Sequence, residues 1–223
     1  MIKRGNNMNK DLVRVIENPV ILQNLCAMRN KNTDSQGVRI ATRKITRVLL
    51  YEASKNLPLI DKEIETPITK TTVKTIQDDI SIIISPILRA GLIFTDEAID
   101  ILPQACIRHI GMYRDEKTLK PVWYYNKVPM ETINPENTYV YITDPMLATG
   151  NSLLEAIRLY HDKNIPISNI KCICIIAAPE GIEHIQEEFP KIEIITATVD
   201  DYINEKGYIV PGMGDAGDRI FNT

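Results

Sequence analysis

Residues 137 to 177 read NTYVYITDPMLATGNSLLEAIRLYHDKNIPISNIKCICIIA. NTYVYIT (137–143) and NIKCICIIA (169–177) are apolar runs rich in β-branched and aromatic residues, and between them GNSLLEAIRLYHDKN places its apolar residues at helical spacing. A strand that is apolar along its whole length is covered on both faces, which is how parallel strands look. ISIIISP (80–86), QACIRHIGM (104–112) and IEIITATV (192–199) repeat the pattern, with helical stretches GLIFTDEAIDIL and PEGIEHIQEEF among them. The alternation predicts an α/β, three-layer fold with a mainly parallel central sheet.

Outward from this core, Asn18-Pro19 is a helix cap followed by a first-turn proline, so VILQNLCAMRN is predicted as a helix. A second helix starts with Asp34 or Ser35 as cap. Its Val38, Ala41, Ile45, Val48, Leu49 and Ala53 face inward, and Arg39, Arg43, Lys44 and Arg47 form a solvated outer face. Residues 61–77, rich in threonine, predict a peripheral hairpin. One interval breaks the alternation: YRDEKTLKPVWYYNKVP (113–129) is polar and aromatic where a helix is expected, and predicts a mobile hairpin over a site. One domain over 1–223 accounts for the chain, with N-terminal helices in 1–60, a core over about 78–199 and a C-terminal segment over 200–223.

The 223 residues are 44% hydrophobic and 25% charged, with a net charge of −3 and a pI near 5.7. No global basic field exists, so nucleic acid is not an expected partner. No apolar run approaches the length of a membrane span, and MIKRGNNMNK is followed by no apolar segment, so neither membrane nor signal peptide is expected and the predicted location is the cytoplasm. Cys172 and Cys174 share one face of an apolar run, as buried strand cysteines do. With no CxxC pair, and His109, His161 and His184 scattered, no structural zinc site is expected.

In open parallel sheets, ligands bind at the carboxyl ends of the strands. Three loops there carry chemistry: SPILRAGL, with Arg89 before Ala90-Gly91; TDPMLATGNS, which opens a helix; and GYIVPGMGDAGDRIF. GMGDAG (212–217) satisfies GxGxxG, but only six residues follow it, too few for the helix and second strand of a dinucleotide site. GxxxxGK[ST] does not occur. TDPMLATGNS admits two readings. In the plainer one, Thr149 caps a helix beside a solvated acid. In the other, Asp144 accepts hydrogen bonds from two ribose hydroxyls, and the chain continues through Pro145, Met146 and Leu147 into Ala148, Thr149, Gly150, Asn151 and Ser152, whose N–H groups and hydroxyls wrap a phosphate.

The 138–152 stretch resembles the ribose-phosphate signature of the type I phosphoribosyltransferases. SPILRAGL, GMYRDEKTLKPV, DPMLATG, AAPEG and GYIVPGMGDAGDRIF, in that family's order, are together similar to the uracil phosphoribosyltransferases. The resemblance implies transfer of ribose 5-phosphate from phosphoribosyl pyrophosphate to uracil, giving UMP and pyrophosphate, with Mg2+ held mainly through the donor rather than by protein ligands. It implies that Asp144 to Ser152 hold the ribose and its 5-phosphate, that Arg89 and Arg114 neutralise the departing pyrophosphate, and that Asp215 lies close to the donor and helps the N1 proton leave. Uracil would be read by Ile209, Gly214 and Ala216 in the C-terminal segment, with Asp215 beside them. A homodimer or homotetramer, and GTP as an effector, are further family properties it implies. The chain departs from the broader signature in having Asp144-Pro145 in place of two adjacent acids. Asn151 stands where a second glycine is common, and asparagine tolerates φ > 0. A pyrimidine-responsive RNA-binding regulator on the same fold, and a catalytically idle ligand-binding module, remain as alternatives.

Overall fold

The computed structural model describes residues 9–114, 121–126, 128 and 134–223, the side chains of 10, 113, 114 and 121 excepted. The chain enters through a short edge strand, β1 (Val13–Val15), and two helices, α1 (Pro19–Arg29) and α2 (Ser35–Ser54). An antiparallel hairpin follows, β2 (Leu59–Glu65) and β3 (Lys70–Ile76). The α/β core runs β4 (Ser81–Leu88), α3 (Thr95–Ile101), β5 (Cys106–Ile107), β6 (Ile110–Arg114), β7 (Pro121–Asn126), β8 (Thr138–Thr143), β9 (Met146–Leu147), α4 (Asn151–His161), β10 (Ile170–Ala177), α5 (Pro179–Glu188) and β11 (Glu193–Val199). A two-stranded ribbon, β12 (Tyr202–Ile203) and β13 (Ile209–Val210), and α6 (Ala216–Phe221) complete it.

Among the described residues the central sheet has the order β1-β11-β10-β8-β4-β6-β7, with β5 beside β4 and β9 beside β10. All its pairings are parallel except β6 with β7. The predicted α/β class with a mainly parallel sheet is thus the observed one. Both faces are covered. Side chains of β10 divide between two cores: Ile173, Ile175 and Ile176 pack with α1 and α2, and Cys172, Cys174 and Ala177 with α4 and α5. Both cysteines are fully buried, and burial pushes the Cys174 thiol up to about 12. That keeps it protonated and inert.

Several local expectations hold. Asn18 accepts from Val20 N–H at 2.8 Å with Pro19 in the first turn, and Asp34 caps α2 by accepting from Gly37 N–H at 2.7 Å. Three change. QACIRHIGM forms two short strands, because the chain leaves the ladder at Arg108 and His109: Arg108 N–H still donates to Ile84, but its carbonyl turns to accept from the Ser85 hydroxyl at 2.9 Å. The cations of α2 face outward but are not simply solvated. Arg43 and Arg47 pair with Asp96, Asp100 and the buried Glu97 of α3, and Arg39 donates to the Ile220 carbonyl of α6. The hairpin predicted over 113–129 is found as the antiparallel β6–β7 pair, which starts earlier, at Ile110, and its tip, 115–120, lies outside the described residues.

The strand β1 was not expected. Three residues carry too little pattern to read, and the strand exists because β11 offers an edge: Val13 pairs with Ile194 and Val15 with Thr196. Arg14 then ties three elements together, reaching Glu52 of α2 at 2.8 Å and Glu193 of β11 at 2.7 Å. All three side chains are largely shielded from solvent, and hydrogen bonds to charged groups of this kind contribute about 1.5–3 kcal/mol. Arg14→Ala is expected to lower unfolding free energy by about 2 kcal/mol in urea titration; a loss near zero would class the bridge with ordinary surface pairs.

Candidate active site

Parallel pairing of β4 with β8, in register from Ser81↔Thr138 to Pro86↔Thr143, makes their following loops leave the sheet side by side. From β8 the chain takes an unusual course. Asp144 N–H donates to Ile173 at 3.1 Å, and the Pro145 carbonyl accepts from both Ile175 and Ile176. Met146 and Leu147 then rejoin the sheet against Ile176 and Ala177. Asp144 is therefore held at the carboxyl edge with its side chain directed out of the ladder. Its Oδ1 accepts from Met146 N–H at 3.2 Å.

That carboxyl is half-buried, and burial raises its pKa from 3.8 to about 7, against the weaker opposing effect of the Met146 hydrogen bond. The solvated acid of the plainer reading is not what the fold produces: this one is desolvated. A carboxyl poised near neutrality, with most of its lone pairs unused, is ready to accept from hydroxyl donors.

The small-residue stretch behaves as a loop that turns into α4, but its details differ from expectation. The residue before the helix is Gly150 rather than Thr149, at φ 81 and with no side-chain cap. Asn151 is the first helical residue, so the left-handed conformation falls on the glycine and Asn151 has no need of it. The first N–H groups of α4 have no partners within the helix and face the loop. Behind the loop lies α5. A Cβ on Gly181 would come 2.1 Å from the Ala148 carbonyl oxygen, so only glycine permits this approach. Ala178 N–H donates to the Leu147 carbonyl, and His184 places Nδ1 2.9 Å from the Thr149 carbonyl, which requires the ring proton on that nitrogen.

Arg89 follows β4 and reaches across to α6, where Nη2 pairs with Asp218 at 3.0 Å and the guanidinium lies 5.7 Å from the Phe221 ring centroid. Asp215 caps α6, accepting from Asp218 N–H at 2.9 Å. Gly217 separates the two, since a Cβ there would lie 3.1 Å from Arg89 Nη2 and 3.2 Å from Asp215 Oδ1. Arg89 and Asp215 are therefore brought together. Arg114 ends β6, and its side chain lies outside the described residues.

The C-terminal segment is fastened by residues that sequence reasoning did not single out. Asp200 is buried directly after β11; it binds Arg29 of α1 at 2.5 and 2.7 Å and accepts from Gly212 N–H at 2.8 Å. Arg29 also donates to the Gly212 carbonyl at 2.8 Å. One ion pair thus grips both polar groups of a residue that sits between Ile209 and Gly214. Arg219 adds bonds to the carbonyls of Met28, Asn30 and Met213. An acid at a strand's carboxyl end was the visible signal for Asp200. Its exposed neighbour Asp201 carries the same signal, and only packing separates them.

Among the described residues no three His, Cys, Asp or Glu side chains converge as a metal site, and no helix is long and apolar enough to cross a membrane. A cavity of about 440 Å³ lies on the β2–β3 hairpin, away from this edge.

The fold is that of the type I phosphoribosyltransferases. It is shared with adenine phosphoribosyltransferase from Trypanosoma brucei at a TM-score of 0.55 and 13% identity, over 90% of this chain and 87% of that one. More specifically, the Uracil phosphoribosyltransferase family model matches residues 15–223. The uracil phosphoribosyltransferase of Lactococcus lactis is 46% identical over 210 residues, covering 94% of this chain and 98% of that protein. The solved structure of the AQ2163 protein from Aquifex aeolicus is 35% identical with a TM-score of 0.84, covering 94% and 97%. The chain belongs to the uracil phosphoribosyltransferase family.

Two outcomes test this geometry. The folded chain binds the Asp144 proton more tightly than the unfolded chain, so this group's contribution to stability falls as pH rises from about 4 to about 7. Asp144→Asn is therefore expected to raise Tm at pH 8 and to match the parent near pH 4, as followed by calorimetry. Asp200→Ala leaves Arg29 with an uncompensated charge and is expected to cost roughly 3 kcal/mol in urea unfolding.

Proposed function

We propose that the protein transfers the ribose 5-phosphate group from phosphoribosyl pyrophosphate to uracil, releasing pyrophosphate and forming UMP. The observation that carries the reading is the desolvated Asp144 carboxyl placed beside a glycine-turned helix start, a ribose acceptor next to a phosphate cradle. On this reading Asp144 accepts from the two ribose hydroxyls, Pro145, Met146 and Leu147 carry the chain into the loop, and Ala148 to Ser152 hold the 5-phosphate through main-chain N–H groups and the hydroxyls of Thr149 and Ser152.

Displacement at the anomeric carbon builds positive charge on the ribose ring and negative charge on the leaving pyrophosphate, by analogy with glycosyl transfer. Arg89 and Arg114 answer the second. To do so Arg89 must exchange Asp218 for phosphate oxygens. Both side chains are about half exposed, so the pair being given up is worth less than about 1 kcal/mol, while a guanidinium–phosphate pair is bidentate and charge-assisted. The donor set also fits a magnesium ion. Mg2+ commonly takes one or two carboxylates and completes its shell with substrate phosphates and water, and this edge offers isolated acids rather than an all-protein cage. When bound, the ion supplies positive charge to the pyrophosphate.

Uracil has an edge of alternating donors and acceptors, which a peptide N–H and C=O can match. Ile209, Gly214 and Ala216 supply such groups. Gly214 is left-handed at φ 83, and Ala216 opens α6, so its N–H has no intrahelical acceptor. Cytosine would meet mismatched groups at a cost of about 1–3 kcal/mol. The Asp215 carboxylate, already accepting from Asp218 N–H, keeps a second oxygen for the donor or the departing N1 proton. The same reading includes a cytoplasmic homodimer or homotetramer responsive to GTP, to be checked by light scattering and GTP titration.

Purified protein given Mg2+, uracil and phosphoribosyl pyrophosphate is expected to form UMP and pyrophosphate, with cytosine and purine bases giving little product. Absence of UMP at saturating donor would leave the idle-module alternative standing. Asp144→Asn is expected to raise the donor KM at least ten-fold while the protein remains folded.

A further inference from the structure

α5 begins where the two halves of the site meet. Its second and third residues, Glu180 and Gly181, face different partners. Gly181 is seated against the Ala148 carbonyl of the phosphate loop at a distance no other residue would permit. Glu180 reaches the other way, and its Oε1 accepts from the Ile203 N–H at 3.1 Å.

The Ile203 bond matters because of the ribbon's register. In the β12–β13 pair, Ile203 stands opposite Ile209, and the ribbon closes through Asp201 N–H to Val210 and Asn204 N–H to Tyr208. The Ile203 N–H points away from β13 and has no partner in the ribbon. Glu180 supplies that partner. Two-stranded ribbons are marginal on their own, so an outside anchor on one strand sets where the opposite strand sits. The buried Arg29–Asp200 pair holds the far side of the turn, at Gly212. Glu180 holds the near side, directly across from Ile209.

We propose that Glu180 is a positioning residue for base recognition: its carboxylate fixes Ile203, and through the strand register Ile209, relative to the phosphate loop that Gly181 supports. Base and donor halves are thereby spaced by two adjacent residues of one rigid helix. The proposal rests on the reading of Ile209 and Gly214 as the uracil edge.

The test is steady-state kinetics on three variants, the two at Glu180 checked for an unchanged Tm and the third for a folded state at the assay temperature. Glu180→Ala is expected to raise the uracil KM roughly five-fold, the scale of one ordinary solvent-exposed hydrogen bond, with donor KM and kcat close to those of the parent. Glu180→Gln keeps an acceptor oxygen at the same reach and is expected to restore most of the uracil KM. Gly214→Ala strains the left-handed turn and is expected to raise the uracil KM by itself, which checks the underlying reading. If Gly214→Ala raises the uracil KM and Glu180→Ala does not, the role of Glu180 is overturned. Equal defects in Glu180→Ala and Glu180→Gln would also overturn it, by making charge rather than the Ile203 bond responsible. If Gly214→Ala leaves the uracil KM unchanged, the assignment of the base edge fails instead, and the role built on it fails too.

Discussion

The parallel pairing of β8 with β10 is interrupted at Asp144 and resumed at Met146, and the candidate site is built in that gap. Buried backbone groups must be paired, so the chain cannot simply leave the sheet. Proline removes one donor from the account, and its carbonyl takes two, from Ile175 and Ile176. The sheet stays satisfied while one carboxylate is directed out of it. Because the strands on either side are buried on both faces, that carboxylate is desolvated, which is the physical origin of its raised pKa.

The rest of the site is arranged around this gap by elements far apart in the chain. β4 sends Arg89 toward α6, α5 supports the loop before α4 through a glycine contact, and α1 reaches over to clamp the C-terminal segment through Arg29. The two kinds of charge pairing differ in consequence. Arg89–Asp218 is half exposed and cheaply exchanged for a ligand, whereas Arg29–Asp200 is largely buried and holds the backbone in place.

Much of this was legible beforehand, for reasons visible in particular residues. ISIIISP and NIKCICIIA announce buried parallel strands because every side chain is apolar, and the loops that follow such strands announce where ligands go. QACIRHIGM misled because its apolar content looks continuous, while Arg108 and His109 in the middle take the chain out of register. The arginines of α2 looked solvated because a helix face reveals only that it points outward, not that Glu97 of another helix is waiting there.

What the amino-acid sequence determined by itself was the alternating α/β architecture, the loops after β4 and β8 as the candidate site, the family, and the presence of one acid beside a small-residue turn. These are properties of short stretches, since periodicity and turn chemistry are written into neighbouring residues. Tertiary structure alone decided that Gly150 and not Asn151 bears the left-handed turn, that Asp200 rather than Asp201 is buried, and that Glu180 meets Ile203. Burial and hydrogen bonding between residues 171 positions apart depend on which segments meet, and no local pattern encodes that.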